Sequence, residues 1–218
     1  MLQAVFFDLD GTLANTDPIH LEVWRDLLKP HDYEVDEAFF KQHISGRLNE
    51  HLIQELLPQL SEAEGRELAI HKEAKFRELA ASELDRMPGF TELFKEIKTQ
   101  ELRTAVVTNA PRANAEFMLK VLDLETAFEL VIVAGELVRS KPDPLPYQTA
   151  LDHFEVAAES AVVFEDSKTG IQAAVAAQIP TIGVASTHEP AVLQSYGASL
   201  VIQDFTDSRL QEFGLLIK

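Results

Sequence analysis

Residues 4–13 read AVFFDLDGTL: four apolar residues run into two aspartates one residue apart, and then into Gly-Thr. An apolar run without alternation is the pattern of a strand covered on both faces, as in a parallel sheet. A strand of this kind does not end in two carboxylates unless other groups hold them, so the rest of the chain must supply the partners.

Working outward, residues 18–86 carry helical periodicity with many charges, as in HLEVWRDLL, NEHLIQELLPQL and EAEGRELAIHKEAKFRELAASEL, with no convincing strand. The charges of residues 62–83 read as a solvated helix face. The Pro-Gly of DRMPGF closes this block. From residue 87 the rhythm alternates. FTELFKEIKTQ, PRANAEFMLKVL, PLPYQTALDHF and SKTGIQAAVAA read as helices, the second beginning at Pro111 and the last capped by Ser167. RTAVVTN, FELVIVAG, SAVVFED and TIGVAS read as strands; AVLQSYG and SLVIQDF complete the alternation before a short C-terminal helix. Strands separated by helices of this length imply βαβ units. The expected fold is α/β, a doubly wound parallel sheet with an all-helical domain inserted after its first strand. The boundaries are 1–16 and 87–218 for the core and 17–86 for the insert.

Composition excludes several chemistries. The 218 residues contain no Cys, which removes disulfides, thiolate metal sites and a cysteine nucleophile. Thirty-six acidic residues against 19 basic give a formal charge of −17, which argues against a nucleic-acid-binding surface. No basic leader and no bilayer-length apolar run are present, so no membrane partner and a cytoplasmic location are expected.

In open parallel sheets, ligands bind beyond the carboxyl ends of the strands where strand order reverses. The strand ends here are polar: Asp8-Leu9-Asp10-Gly11-Thr12, Thr108-Asn109 and Glu165-Asp166-Ser167, with the loop Ser140-Lys141-Pro142-Asp143-Pro144 nearby in sequence. Asp8 and Asp10 lie at i and i+2 and can converge on one ligand. Asp166 and Glu165 add carboxylates if their strand lies beside the first. Crowded carboxylates repel unless a cation holds them, and an oxygen-only donor set suits Mg²⁺. Opposite them, the Thr108 hydroxyl, the N–H groups of NAPR at a helix N-terminus, and Lys141 form an anion site. Asn109 belongs to that site or caps the next helix.

These groups can transfer phosphoryl. Asp8 attacks phosphorus, Asp10 protonates the leaving alkoxide and then deprotonates water, and Lys141 neutralises the phosphoryl oxygens.

In their order, DLDGTL, VVTNA, SKPDP and VFEDS resemble the four motifs of the haloacid dehalogenase superfamily. The insert resembles the helical cap of its phosphoglycolate phosphatase and β-phosphoglucomutase-like branch. The resemblance covers essentially the whole chain and implies a Rossmann-like core whose first strand is central, with a cap that selects the substrate. It further implies Asp8 as nucleophile, Asp10 as acid and base, and Mg²⁺ held by the Asp8 carboxylate, the Asp10 carbonyl and Asp166, with Glu165 in or beside that set. Dehalogenases of the superfamily lack the second aspartate and the metal, so transfer to phosphorus is favoured here.

In the cap, His20 and the loop ISGRLNEH, with Gly46 and Arg47, match substrate-facing positions of that branch. His20 beside Leu21 and Trp24 is equally consistent with helix packing, and Arg47 with a solvated surface charge. Trp24 reads as cap core. The mutases of the branch carry lysine and arginine where this chain has Ser45 and Asn49. The expected function is therefore a Mg²⁺-dependent phosphatase acting on a small phosphorylated metabolite, as a monomer or weak homo-oligomer, with a sugar-phosphate mutase as the alternative. A signalling receiver domain shares the Asp, Thr and Lys set, but it has no helical insert of this size and its phosphorylated aspartate does not end the first strand.

Overall fold

The N-terminal apolar run forms β1 (Ala4–Phe7), and all four residues are buried. A computed structural model describes residues 1–215, so the last three positions of the expected core, 216–218, lie outside the described residues. These residues divide into two compact units, Met1–Asn15 with the chain from Asp85 onward, and Thr16–Leu84.

In the first unit, β1 is joined by β2 (Arg103–Thr108), β3 (Leu130–Val133), β4 (Ala161–Glu165), β5 (Thr181–Val184) and β6 (Leu200–Ile202) in one six-stranded sheet, ordered β3-β2-β1-β4-β5-β6. Every pairing is parallel. The chain steps outward from β1 through β2 to β3, then returns to the other side of β1 for β4. Strand order therefore reverses at β1, which places the ligand-binding crevice at its carboxyl end.

Both faces of β1 are covered. Phe6 packs with Ala105, Val107 and Val163 under Tyr147 and Ala150 of α7 (Leu145–Phe154) and Ala173 of α8 (Lys168–Ala176). Phe7 points the other way. Its ring lies 5.1 Å from Phe164, 5.7 Å from Phe90 of α5 (Phe90–Thr99) and 6.1 Å from Phe205. Double coverage is why the sequence shows no alternation: each Phe contributes about 1.5–3 kcal/mol whichever way it faces.

Two helix starts differ in their agreement with the sequence. Ser167 caps α8 as expected, accepting the Gly170 N–H at 3.1 Å. α6 (Arg112–Val121) begins one residue late, because Pro111 takes an extended ψ of 150° and sits outside the first turn. The AVLQSYG segment contains most of α9 (Pro190–Ser195).

The second unit contains α1 (Asp17–Leu28), the single-turn α2 (Glu37–Phe39) running into a π-helical segment Phe40–Ile44, α3 (Asn49–Leu56) and α4 (Glu62–Ala80). No strand occurs among its residues. Trp24 is core, packed with Leu28, Phe40, Leu52 and Ile53. α4 opens with a capping box, Ser61 and Glu64 satisfying each other's backbone N–H. The reading of residues 62–83 as a solvated face needs correction: Lys72 and Glu73 of α4 are buried. Burial is tolerated because they pair with each other, which a periodicity argument does not register.

Candidate active site

Asp8 follows β1 directly, and its N–H extends the ladder to the Phe164 carbonyl at 3.0 Å. Lys141, from the loop before α7, reaches it across the crevice. The ammonium donates to Asp8 Oδ1 at 2.6 Å, to Glu165 Oε1 at 2.5 Å and to the Val107 carbonyl at 2.7 Å. Three donors meet three acceptors, which is how a lysine only 4% exposed remains charged. Burial works against its ammonium, but Asp8 and Glu165 more than offset that and hold its pKa above the ordinary value.

Asp8, Glu165 and Asp166 each present an oxygen within 4.8 Å of the others. Three carboxylates against one ammonium leave two formal negative charges in a buried site. Burial first, and the Glu165 charge second, push the Asp8 carboxyl well above its usual pKa despite the pull of Lys141. This oxygen-rich, under-neutralised set fits a small hard divalent cation. Gly11 makes the approach possible: its φ is +74°, and a Cβ there would overlap the Asp166 carboxylate.

Glu165, the end of β4, is completely buried. Its Oε1 accepts from Lys141 and from the Tyr147 hydroxyl at 2.9 Å; its Oε2 accepts from the Ser167 N–H at 3.3 Å and Oγ at 3.1 Å. Both oxygens thus serve protein donors. Gly170 lets α8 run close by, since a side chain there would strike Glu165. Burial, then Glu165, raise the Tyr147 phenol well above its usual pKa, so it remains a donor.

On the anion side, Thr108 Oγ1 accepts the Ala110 N–H at 2.9 Å and keeps its own proton to donate. Asn109 does not cap α6. Its Nδ2 makes a long 3.4 Å contact to the Lys141 carbonyl, and its Oδ1 is buried without a partner among the described residues. Asp10 lies in the turn after β1, bridged to Ala14, and its carboxylate is outside the three-carboxylate group.

Three contributing residues escaped the sequence reading. Tyr147 lies inside the PLPYQTALDHF helix, where nothing singles it out. Ser186 and Thr187 follow β5, the strand-end position that yields Asp8, Thr108 and Asp166, so the same rule reaches them. Thr187 Oγ1 donates to Asp166 Oδ2 at 2.7 Å, and Ser186 Oγ to the Gly11 carbonyl at 2.5 Å.

In the helical unit, His20 stacks on Phe76 with centroids 4.1 Å apart, and its Nδ1 lies 3.0 Å from Lys72 Nζ. Lys72 donates to Glu73 Oε1 at 2.9 Å, and Asn49 Nδ2 donates to the same oxygen. Burial presses the Glu73 pKa upward, but Lys72, His20 and these bonds bring it below the ordinary value. Gly46 sits in the turn before α3. Arg47 donates to the His43 carbonyl at 3.0 Å and pairs with Glu55 at 2.5 Å.

No helix of the described residues is long and apolar enough to cross a membrane. The model of the haloacid dehalogenase-like hydrolase family matches residues 5–184. A phosphorylated carbohydrates phosphatase of Thermotoga maritima is 32% identical over 83% of this chain and 84% of its own length. A validoxylamine A 7'-phosphate phosphatase of Streptomyces hygroscopicus subsp. limoneus is 30% identical over 98% and 99%. A crystal structure of a HAD hydrolase, family IA, variant 3 from Entamoeba histolytica superposes with a TM-score of 0.84, at 29% identity and 94% coverage of each chain. With the strand-end carboxylates and the buried lysine in the arrangement described, the chain belongs to the haloacid dehalogenase-like hydrolases.

Proposed function

We propose that the protein is a Mg²⁺-dependent phosphatase that hydrolyses a small phosphorylated metabolite, a phosphorylated sugar or sugar-like alcohol being the first class to test, through an aspartyl-phosphate on Asp8. The observation that carries this reading is the buried Lys141 ammonium bonded to both Asp8 and Glu165, beside Asp166. The names of the two phosphatase relatives point to the substrate class.

In this mechanism Asp8 Oδ attacks phosphorus, the bond to the ester oxygen breaks, and its electron pair leaves on an alkoxide that takes a proton from Asp10. Asp10 then removes a proton from water, whose oxygen attacks the same phosphorus and expels the Asp8 carboxylate. Lys141 holds one Asp8 oxygen, so the other is left to attack, while Thr108 and the N–H groups beyond β2 receive the phosphoryl oxygens. Asp8, Asp166 and the Asp10 carbonyl would hold Mg²⁺, which supplies positive charge to the phosphoryl group as it transfers. Glu165, with both oxygens spent on Lys141, Tyr147 and Ser167, anchors the lysine.

Hydrolysis is preferred to the mutase alternative because Ser45 and Asn49 stand where the mutases carry lysine and arginine, and the Asn49 amide bonds to a Glu73 carboxylate already paired with Lys72. The test is phosphate release from p-nitrophenyl phosphate and a panel of sugar phosphates. EDTA and Asp8→Asn should each abolish turnover, the latter by about 10³-fold or more. Undiminished activity of Asp8→Asn refutes the reading, and isomerised sugar phosphate without free phosphate would make the enzyme a mutase.

A further inference from the structure

The turn that carries Asp10 is restrained both from within and from a distant strand. Within it, the Gly11 N–H donates to the Ala14 carbonyl at 2.8 Å, which holds the peptide joining Asp10 to Gly11. The next peptide, Gly11 to Thr12, is held less well from within, because its N–H reaches the Leu9 carbonyl only at 3.4 Å. It follows a glycine at φ +74°, a residue whose backbone turns with little steric resistance. Its carbonyl is taken instead by Ser186 Oγ, which donates at 2.5 Å from 175 positions further along the chain. Ser186 is itself anchored on both sides. It stands two residues beyond β5, where the preceding Ala185 N–H bonds to the Ile202 carbonyl of β6 at 2.8 Å and the following Thr187 hydroxyl to Asp166 at 2.7 Å.

We propose that Ser186 is a positioning residue for the general-acid step: through the Gly11 carbonyl it fixes the turn from which the Asp10 side chain projects. The inference rests on the phosphatase reading above and on the acid role given there to Asp10. Ser186 acts on the backbone and brings no charge, so its contribution is alignment, to which proton transfer in the transition state is sensitive. That dependence has a chemical signature. A leaving group that is already a stable anion departs without a proton, whereas an alkoxide needs one from Asp10 as the ester bond breaks. Loosening the turn therefore penalises poor leaving groups selectively. A merely structural role, or a displaced Asp8, would slow every ester alike.

The test is kcat/KM in MgCl₂ on p-nitrophenyl, phenyl and benzyl phosphate, whose leaving groups become progressively less acidic. Ser186→Ala should fall no more than about threefold on p-nitrophenyl phosphate but about thirtyfold on benzyl phosphate. The spread across the series then widens about tenfold, a part of the 10²–10⁴-fold that a positioned acid contributes. Ser186→Thr keeps the hydroxyl and should return the spread to within about threefold of wild type. Independently of turnover, amide hydrogen exchange across residues 9–14 of the metal-free protein should quicken by about threefold or more in Ser186→Ala. If Ser186→Ala does not melt cooperatively, Ser186→Cys keeps the volume with a much weaker donor and carries the same expectations. An unchanged spread or unchanged exchange in the hydroxyl-free variant, or a spread widened equally in Ser186→Thr, overturns the proposal while leaving the phosphatase reading intact. A wild-type protein that hydrolyses none of the three esters overturns both.

Discussion

The Tyr147 hydroxyl donates to Glu165 Oε1 at 2.9 Å, the same oxygen that accepts from Lys141. A core residue of α7 therefore helps set where the ammonium beside Asp8 sits. Tyr147→Phe keeps the ring and removes the bond. Because Lys141 still serves that oxygen, the expected loss is about 1 kcal/mol in urea unfolding, with a several-fold fall in kcat. An unchanged kcat would mean that Lys141 is held by its other two acceptors alone.

Lys141→Ala should be far more severe. It leaves Asp8 and Glu165 as buried carboxylates without their cation, a change that costs about 3–5 kcal/mol. Phosphate release should fall by roughly 10²-fold or more through lost transition-state charge stabilisation. Added Mg²⁺ should recover part of the stability, which a melting series across metal concentration measures.

Gly170→Ala sets two effects against each other. Helix propensity favours alanine by about 1 kcal/mol. The new Cβ, however, would overlap the Glu165 carboxylate, whose oxygens are held from both sides. Overpacking of a fixed buried group costs about 1–3 kcal/mol and should win, so the variant should melt lower than wild type and turn over more slowly.

Glu73 gives the helical unit an acid sensitivity. Its folded-state pKa lies below the unfolded value of about 4.3. Its contribution is complete above about pH 4.3 and disappears as pH falls through the folded value. Glu73→Gln should be less stable near neutral pH by about 3 kcal/mol, because buried Lys72 loses its charged partner. It should also lose less stability than wild type between about pH 5 and about pH 3. Urea unfolding at the three pH values decides; parallel curves would dismiss the role given to this pair.

What could be read in the sequence follows from how each group announces itself. Asp8 and Asp166 stand directly after apolar strands and Glu165 ends one, and parallel topology gathers such ends, so both the sheet and the carboxylate group were legible. Lys141 is marked by its prolines, and Ser167 by its place before a helix. Tyr147 carries no such mark inside its helix, whereas Thr187 follows a strand, and only the placing of β5 beside β4 shows that its hydroxyl reaches Asp166. Lys72 and Glu73 misled because charge at helical spacing looks solvated, and only the tertiary partners Asn49 and His20 reveal that it is not. Arg47 was legible as a charge in the loop before α3, but its pairing with Glu55 near the far end of that helix was not.

The position of β1 at the middle of the sheet also has a kinetic consequence. Lys141 follows Asp8 by 133 positions, and Ser186 follows the Gly11 that it grips by 175. The helical unit is one continuous stretch and closes through local contacts, whereas the parallel sheet must wait for both of β1's neighbours. At about 5–20 residues per second, the strand that leads into Asp8 spends roughly 8–32 s without both of its neighbours. For that interval its apolar faces, fully buried in the finished protein, are open to any chaperone or neighbouring chain that meets them.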